Sequence, residues 1–411
     1  MTTTAEDRLQ DYRRTLRGWL GEHVPANPTG DVEEAKAFQA ALYDAGYSGI
    51  TWPKDSGGQG LGQAEQQIFA EEAAAFEMPV RPFLISMGMC GPTIVDLGTD
   101  EQKRRYLPPL LRGEEIWCQL FSEPGAGSDV ASLQCKAVPD GDGWVLTGQK
   151  VWTSNAQWAD YGAILARTDP DRPKHGGITM FVVDMRAPGV TVRPLVDMTG
   201  GAPFNEVYLD AVRVGPGDVL GEVNGGWSAA VTMLGHERVT ISGLRQKRSN
   251  GLTFDSLAEL GRRHGADPVA RDRLADLYAH QRVLELFNAR MRQETVAGAA
   301  PGSRGSVGKL AGAMLLRRAV DTAGHLAGAN MVAWEDGDAG AESVELGINS
   351  TPASNIAGGT NEIQRGIIGD RILGLPREPQ VDRGVAFREL KVGTQTSAAG
   401  ATAEQAEKGV S

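Results

Sequence analysis

Cysteine is nearly missing: the 411 residues contain only Cys90, Cys118 and Cys135. An odd count with no CxxC spacing points to neither a disulfide framework nor a zinc site. The six histidines form no cluster at ligand spacing, so no metal centre is suggested. No uninterrupted apolar run is long enough to span a bilayer, and the first residues, MTTTAEDRLQDYRR, are polar and acidic. A reducing cytoplasm is the compartment we expect. Basic charge is also in deficit, 41 against 52 acidic residues for a formal charge of −11, which argues against a sequence-independent grip on nucleic acid or an anionic membrane. Neither GxGxxG nor GxxxxGK[ST] occurs, so the common dinucleotide and P-loop signatures are absent.

What is present is enough chain for two or three cores, with 41% apolar residues. Residues 1–115 read as an all-helical domain. The run Glu33 to Ala45 puts Ala37, Ala41, Leu42 and Ala45 on one stripe, Gly46 stops it, and Asp100 is placed to cap a later helix. In residues 116–226 the texture turns to β-branched and aromatic runs: WVLTG, KVWTS, YGAILAR, ITMFVVDM, VTVRPLV and EVYLDAVRV. Asp142-Gly143 suits a hairpin turn. No helices alternate with these strands, so an antiparallel barrel or sheet pair is expected in place of a parallel Rossmann sheet. Residues 227–392 return to helix, with segments near 227–249, 268–295 and 306–329 and a last one from Asn361. Residues 393–411 are poor in large apolar side chains and read as a disordered tail. The class is α+β: a helical domain, a β domain and a four-helix bundle.

The chemistry sits in a few segments. In FSEPGAGSDVASL (121–133), Gly125 and Gly127 let backbone N–H groups approach a bound group closely, although alone this is as readily a long glycine-containing turn. It is followed by GQKVWTSNA (148–156), and DAGYSGITWPKDSGGQGLG (44–62) and GGTNEIQRGIIGDRILGLPRE (358–378) flank the pair. These four ordered segments, spread over roughly residues 6–390, resemble those of the acyl-CoA dehydrogenase family.

The resemblance implies FAD as cofactor, with Phe121 and Ser122 at the isoalloxazine edge and Gly127 and Ser128 near the acyl thioester or pantetheine. It sets Trp152, Thr153 and Ser154 along the other part of the ring, and Thr360 and Glu362 at the flavin's phosphate or adenylate side. Trp152 taken alone reads as a core aromatic, and Glu362 equally as a first-turn acid. The implied reaction removes the α-proton of an acyl-CoA with a carboxylate and the β-hydrogen as hydride to flavin, leaving an α,β double bond. An electron-transfer flavoprotein is the implied acceptor.

Many members carry the base just before Gly-Thr, but this chain has Ala357-Gly358-Gly359-Thr360. A smaller set, isovaleryl-CoA dehydrogenase among them, places it on a bundle helix before an arginine. MLGHERVTI (233–241) supplies Glu237 and Arg238 at that place. Met233, Leu234, Thr240 and Ile241 lie three or four residues from Glu237, so its helix face is apolar. The competing reading is a structural glutamate paired with an arginine. Arg238 would position substrate or stiffen the pocket, and the Gly358 amide would help hold the thioester oxygen.

Two segments depart from the family. Residues 251–281 lack Arg-x-x-Phe-Gly, and AGHLAGA (323–329) replaces a Gly-Gly-x-Gly turn. This variant pattern looks like that of bacterial paralogues, some of which act as hetero-oligomers on bulky acyl-CoA substrates such as steroid side chains. Three readings stand: a homo- or hetero-oligomeric acyl-CoA dehydrogenase with Glu237 as base, a subunit whose flavin site is incomplete or inactive, and a flavin oxidase or monooxygenase on the same fold.

Overall fold

The computed structural model describes residues 4–243, 252–265, 267–299, 302–334, 339–377, 379, 382 and 384–390, with backbone alone for 238–243, 264 and 339–340. The expected tail at 393–411 and the end of the 227–249 segment lie outside the described residues.

Five helices open the chain: α1 (Ala5–His23), α2 (Val32–Asp44), α3 (Gln63–Ala73), α4 (Gly91–Leu97) and α5 (Asp100–Arg112). Three of these starts have a capping side chain at the residue before the helix. Thr4 and Asp7 cap α1 reciprocally, Asp31 accepts from Glu34 N–H at α2, and Thr99 with Gln102 forms the box that starts α5. Asp100 is thus the first helical residue, and the cap is the hydroxyl before it. The buried face of α2 is Ala35, Phe38, Gln39 and Leu42, while Ala37 and Ala45 are exposed. One phenylalanine sets a helix's orientation more strongly than several alanines, because it buries far more apolar area. Leu16, Leu20, Phe38, Leu42, Ile68 and Phe69 form this core.

Seven strands follow: β1 (Trp117–Leu120), β2 (Lys136–Asp140), β3 (Gly143–Ser154), β4 (Tyr161–Arg167), β5 (Ile178–Asp184), β6 (Val190–Leu195) and β7 (Phe204–Val214). They form one sheet ordered β1-β4-β2-β3-β7-β6, with β5 beside β4. The β2–β3, β3–β7, β4–β5 and β6–β7 pairs are antiparallel as expected. β1 instead runs parallel to β4, and β2 touches β4 in parallel at Lys136 and Arg167. The β2–β3 hairpin and the loop before it make the crossover that a helix makes in a βαβ unit. The hairpin turn is Gly141-Asp142, one residue earlier than Asp142-Gly143, with Gly141 at φ +64. WVLTG and KVWTS prove to be one strand, β3, interrupted by irregular register near Gly148 and Trp152.

The remaining helices are α6 (Gly226–Gly243), α7 (Phe254–His264), α8 (Pro268–Val296), α9 (Gly305–Ala327), α10 (Ala339–Ile356) and α11 (Asn361–Arg371). The four long ones, α6, α8, α9 and α10, form the bundle. α9 lies at its centre, against all the others. The loop after β1, the buried strands and the first turns of α6 share one core, in which Phe121, Ala126, Ala131 and Met180 meet Ala229, Ala230 and Met233. That shared core sets the spacing between the glycine-containing loop and the helix bearing Glu237.

Candidate active site

The loop 121–135 is closed at its neck by one carboxylate. Glu123, nearly buried, accepts from Gln134 N–H at 2.6 Å and Cys135 N–H at 2.9 Å, and pairs with Lys150 Nζ at 2.8 Å. Lys150, with no exposed side-chain surface, also donates to the Phe121 carbonyl at 3.2 Å, and Val151 N–H donates to the Ser122 carbonyl at 2.9 Å. The two sequence-predicted segments are therefore physically joined. Breaking such a buried pair strands a charge without water. Glu123 and Lys150 both lie inside the motifs, yet sequence reading missed their pairing because they are 27 residues apart.

Past the neck, Gly127 and Ser128 are exposed. A Cβ at Gly125 or Gly127 would meet no atom within 4 Å, so the room is open for a bound group. On β3, Trp152 sits at φ +61 with its indole 56% exposed and held edge-on by Phe204 at 5.7 Å. It is not the core aromatic that isolated sequence reading favours. A bulky residue in the left-handed region is strained, and here the strain holds an apolar ring in the open. Thr153 beside it is buried, its hydroxyl without a partner, while Asn205 Nδ2 holds its carbonyl at 3.0 Å. Ser154 pairs with Phe204 at the strand's end. An exposed ring, an unmet buried hydroxyl and open space at two glycines suit a flat, hydrogen-bonding aromatic cofactor.

The bundle carries the other predicted residues. On α6, Ala229, Ala230, Met233 and Glu237 recur at three- and four-residue spacing, and all are buried. The neighbouring His236 points to the N-terminal domain and meets Asp96 of α4 at 2.7 Å. Arg238 continues α6, but its side chain is outside the described residues. From α9, Lys309 brings an enclosed Nζ with no hydrogen-bond partner. Burial pulls its pKa below the usual ammonium value, and the charges of Glu362 and Glu237 push it back. Sequence reading missed Lys309, since nothing in the SVGKLAG stretch sets it apart from a surface lysine.

Gly358 and Gly359 turn the chain from α10 to α11 at φ +68 and +86, values that glycine adopts without a Cβ penalty. The buried Gln364 donates to the Gly358 carbonyl at 2.7 Å, and a Cβ at Gly359 would come within 2.7 Å of that same nitrogen. Among the described residues, the Gly358 N–H has no partner. Thr360 caps α11 by accepting from Ile363 N–H at 3.2 Å. Glu362 is a first-turn acid paired with Arg365 at 3.2 Å, its side chain 78% exposed. No hydrogen bond or ion pair among the described residues joins Trp152–Ser154 to Thr360 or Glu362.

A helical domain, a β domain with this looped edge and a helical bundle define a family, and comparison with known proteins identifies it. Models of the acyl-CoA dehydrogenase N-terminal, middle and C-terminal domains match residues 6–114, 118–212 and 224–373. The chain belongs to the acyl-CoA dehydrogenase family of oxidoreductases. It is 42% identical over 339 residues to acyl-CoA dehydrogenase FadE34 of Mycobacterium tuberculosis, covering 82% of this chain but only 46% of that protein. It is 37% identical over 384 residues to acyl-CoA dehydrogenase IpdE1 of the same organism, covering 90% of this chain and 98% of the relative. Among solved structures, Tcur3481-Tcur3483 steroid ACAD is similar at a TM-score of 0.75 and 31% identity, over 92% of this chain and 100% of the other. Among the described residues, no helix is long and apolar enough to cross a membrane.

Proposed function

We propose that the chain carries out FAD-dependent α,β-dehydrogenation of an acyl-CoA thioester, with Glu237 as the base. The observation that carries this reading is the pairing of two features. A carboxylate is buried on the inward face of α6, and the turn where many relatives hold their glutamate presents Gly358, with an unpartnered N–H.

In this reading Glu237 Oε takes the α-proton as an enolate-like charge grows on the thioester oxygen, and the Gly358 N–H donates to that oxygen. The Lys309 ammonium favours the ionised carboxylate that must accept the proton. Bound FAD would supply the acceptor for the β-hydride, with an electron-transfer flavoprotein as the next acceptor. Phe121 and Ser122 would hold one edge of its ring, Trp152, Thr153 and Ser154 the other, and Thr360 and Glu362 its phosphate or adenylate side. Gly127 and Ser128 hold the thioester end of the substrate, with Arg238 positioning it. The likeness to a structure named for a steroid enzyme supports a bulky, steroid-derived acyl group, and its paired chain name supports hetero-oligomeric assembly.

The test is anaerobic bleaching of bound flavin by a panel of linear, branched and steroid-side-chain acyl-CoA thioesters. Glu237→Gln is expected to retain FAD and lose the bleaching; full-rate reduction by this variant would remove Glu237 from the role.

A further inference from the structure

Between the neck at Glu123 and the start of β2, residues 127–132 form an arc whose ends are fixed but whose middle is not part of the sheet. That middle is a short 3-10 turn, with Ser132 N–H donating to the Asp129 carbonyl at 2.9 Å and Ala131 buried, and two cations reach it from outside. Lys174 Nζ meets Asp129 at 2.9 Å, and Arg167 Nη2 donates to the Ala131 carbonyl at 2.6 Å. Neither cation belongs to the arc: Arg167 ends β4, and Lys174 lies in the loop from β4 to β5.

Both cations also face the end of the described chain. Lys174 meets Asp382 at 2.6 Å. The Arg167 guanidinium lies 3.7 Å from the centre of the Phe387 ring, and its Nη1 donates to the Lys174 carbonyl at 2.7 Å. Residues 384–390 return from the bundle and fasten to the same loop. Phe387 N–H donates to the Arg172 carbonyl at 2.9 Å, Arg388 N–H donates to the Pro170 carbonyl at 3.0 Å, and Arg388 pairs with Asp171 at 2.6 Å. Burial lowers Arg167 to about 10, so it keeps its charge at neutral pH. Burial also weighs against Lys174, but its bonds to Asp382 and Asp129 outweigh that and hold its pKa above the usual ammonium value.

We propose that this C-terminal strap sets the position of the thioester-binding turn at Gly127 and Ser128, making Lys174, Arg167 and Asp382 positioning residues for substrate capture. The inference rests on the acyl-CoA reading, in which that turn meets the substrate. Reciprocal backbone bonds between Glu123 and Ala126 fix the chain just before the turn, so Gly127 and Ser128 depend for their far side on the arc, whose polar anchors at Asp129 and Ala131 are the two side chains that the strap clamps from behind. Loosening the strap weakens binding before chemistry, because Glu237 and Gly358 lie on the bundle and are untouched.

The experiment uses the full-length, FAD-loaded protein and acetyl-CoA, which has no β-carbon and so binds without being dehydrogenated. Its dissociation constant is read from the flavin absorbance change and by calorimetry. Asp382→Asn and Lys174→Met are expected to weaken acetyl-CoA about tenfold and to raise KM for the acyl-CoA found by the panel by a similar factor, with kcat within about twofold. Lys174→Arg is expected to restore most of the affinity. Unchanged affinity in folded, flavin-replete Asp382→Asn and Lys174→Met overturns the proposal, as does a fall in kcat at constant KM. If the unsubstituted protein binds no acetyl-CoA, the acyl-CoA reading itself fails and the strap's role falls with it. Binding in the unsubstituted protein without a strap effect removes only the strap.

Discussion

In the β domain, β4 and β5 are buried along nearly their whole length, and even its enclosed charges, Lys150 and Glu123, find each other. The helical bundle is finished differently. α8 leaves Val283 66% and Leu286 56% exposed, one turn apart, and Leu373 and Leu375 after α11 are exposed as well. Lone exposed apolar residues are ordinary, but several along one helix and its neighbours form a patch of the kind that marks interaction surfaces. The β domain pairs its enclosed Lys150 and Glu123 and leaves the Thr153 hydroxyl unmet at the candidate site, whereas the bundle carries apolar surface outward. The candidate site spans both, so its loop and strand wall lie in the part with paired ions while the helix bearing Glu237 belongs to the part that carries apolar surface outward.

The contrast can be broken by experiment. The largest effect is expected from Glu237→Gln, which should slow anaerobic flavin reduction by about 10²- to 10⁴-fold with little change in unfolding. Next is Lys150→Met, which leaves Glu123 charged and enclosed and should cost about 3–5 kcal/mol in denaturant unfolding. The double variant Glu123→Gln/Lys150→Met should recover part of that loss. If Lys150→Met were as stable as the parent, the idea that this enclosed pair holds the neck of the loop would be wrong. In the bundle the reverse holds: Val283→Asp with Leu286→Asp should change the folding stability of one chain by no more than about 0.5 kcal/mol per site, yet shift sedimentation toward smaller species. The smallest effect is expected at Trp152→Gly. Relief of a left-handed tryptophan should offset lost contacts to within about 1 kcal/mol, while FAD titrations show about tenfold weaker binding.

Much of this organisation could be read from the chain, because the signals were local. ITMFVVDM and YGAILAR are continuous apolar runs and became the two most buried strands, and the Met233 side of the α6 face around Glu237 follows from helical spacing, while the side chains of Thr240 and Ile241 lie outside the described residues. What escaped was non-local or contrary to propensity. α10 has no such signal: it contains Pro352 and several glycine, serine and asparagine residues of low helix propensity, and it lies packed along α9. Likewise α5 continues through Pro108 and Pro109. The parallel place of β1 beside β4 has no signature in either strand. Lys309 and the Glu123–Lys150 pair are single charges whose meaning depends on what the fold brings beside them.

The loop 121–135 is held on one side by an ion pair that water does not reach and on the other by Asp129, Lys174 and Asp382, of which the two carboxylates are partly exposed. Dissolved salt screens the second set and leaves the first almost untouched. The neck of the loop should keep its shape from dilute buffer to molar salt, whereas its arc loosens as ionic strength rises. The same fifteen-residue loop thus contains a part indifferent to its ionic surroundings and a part that answers to them.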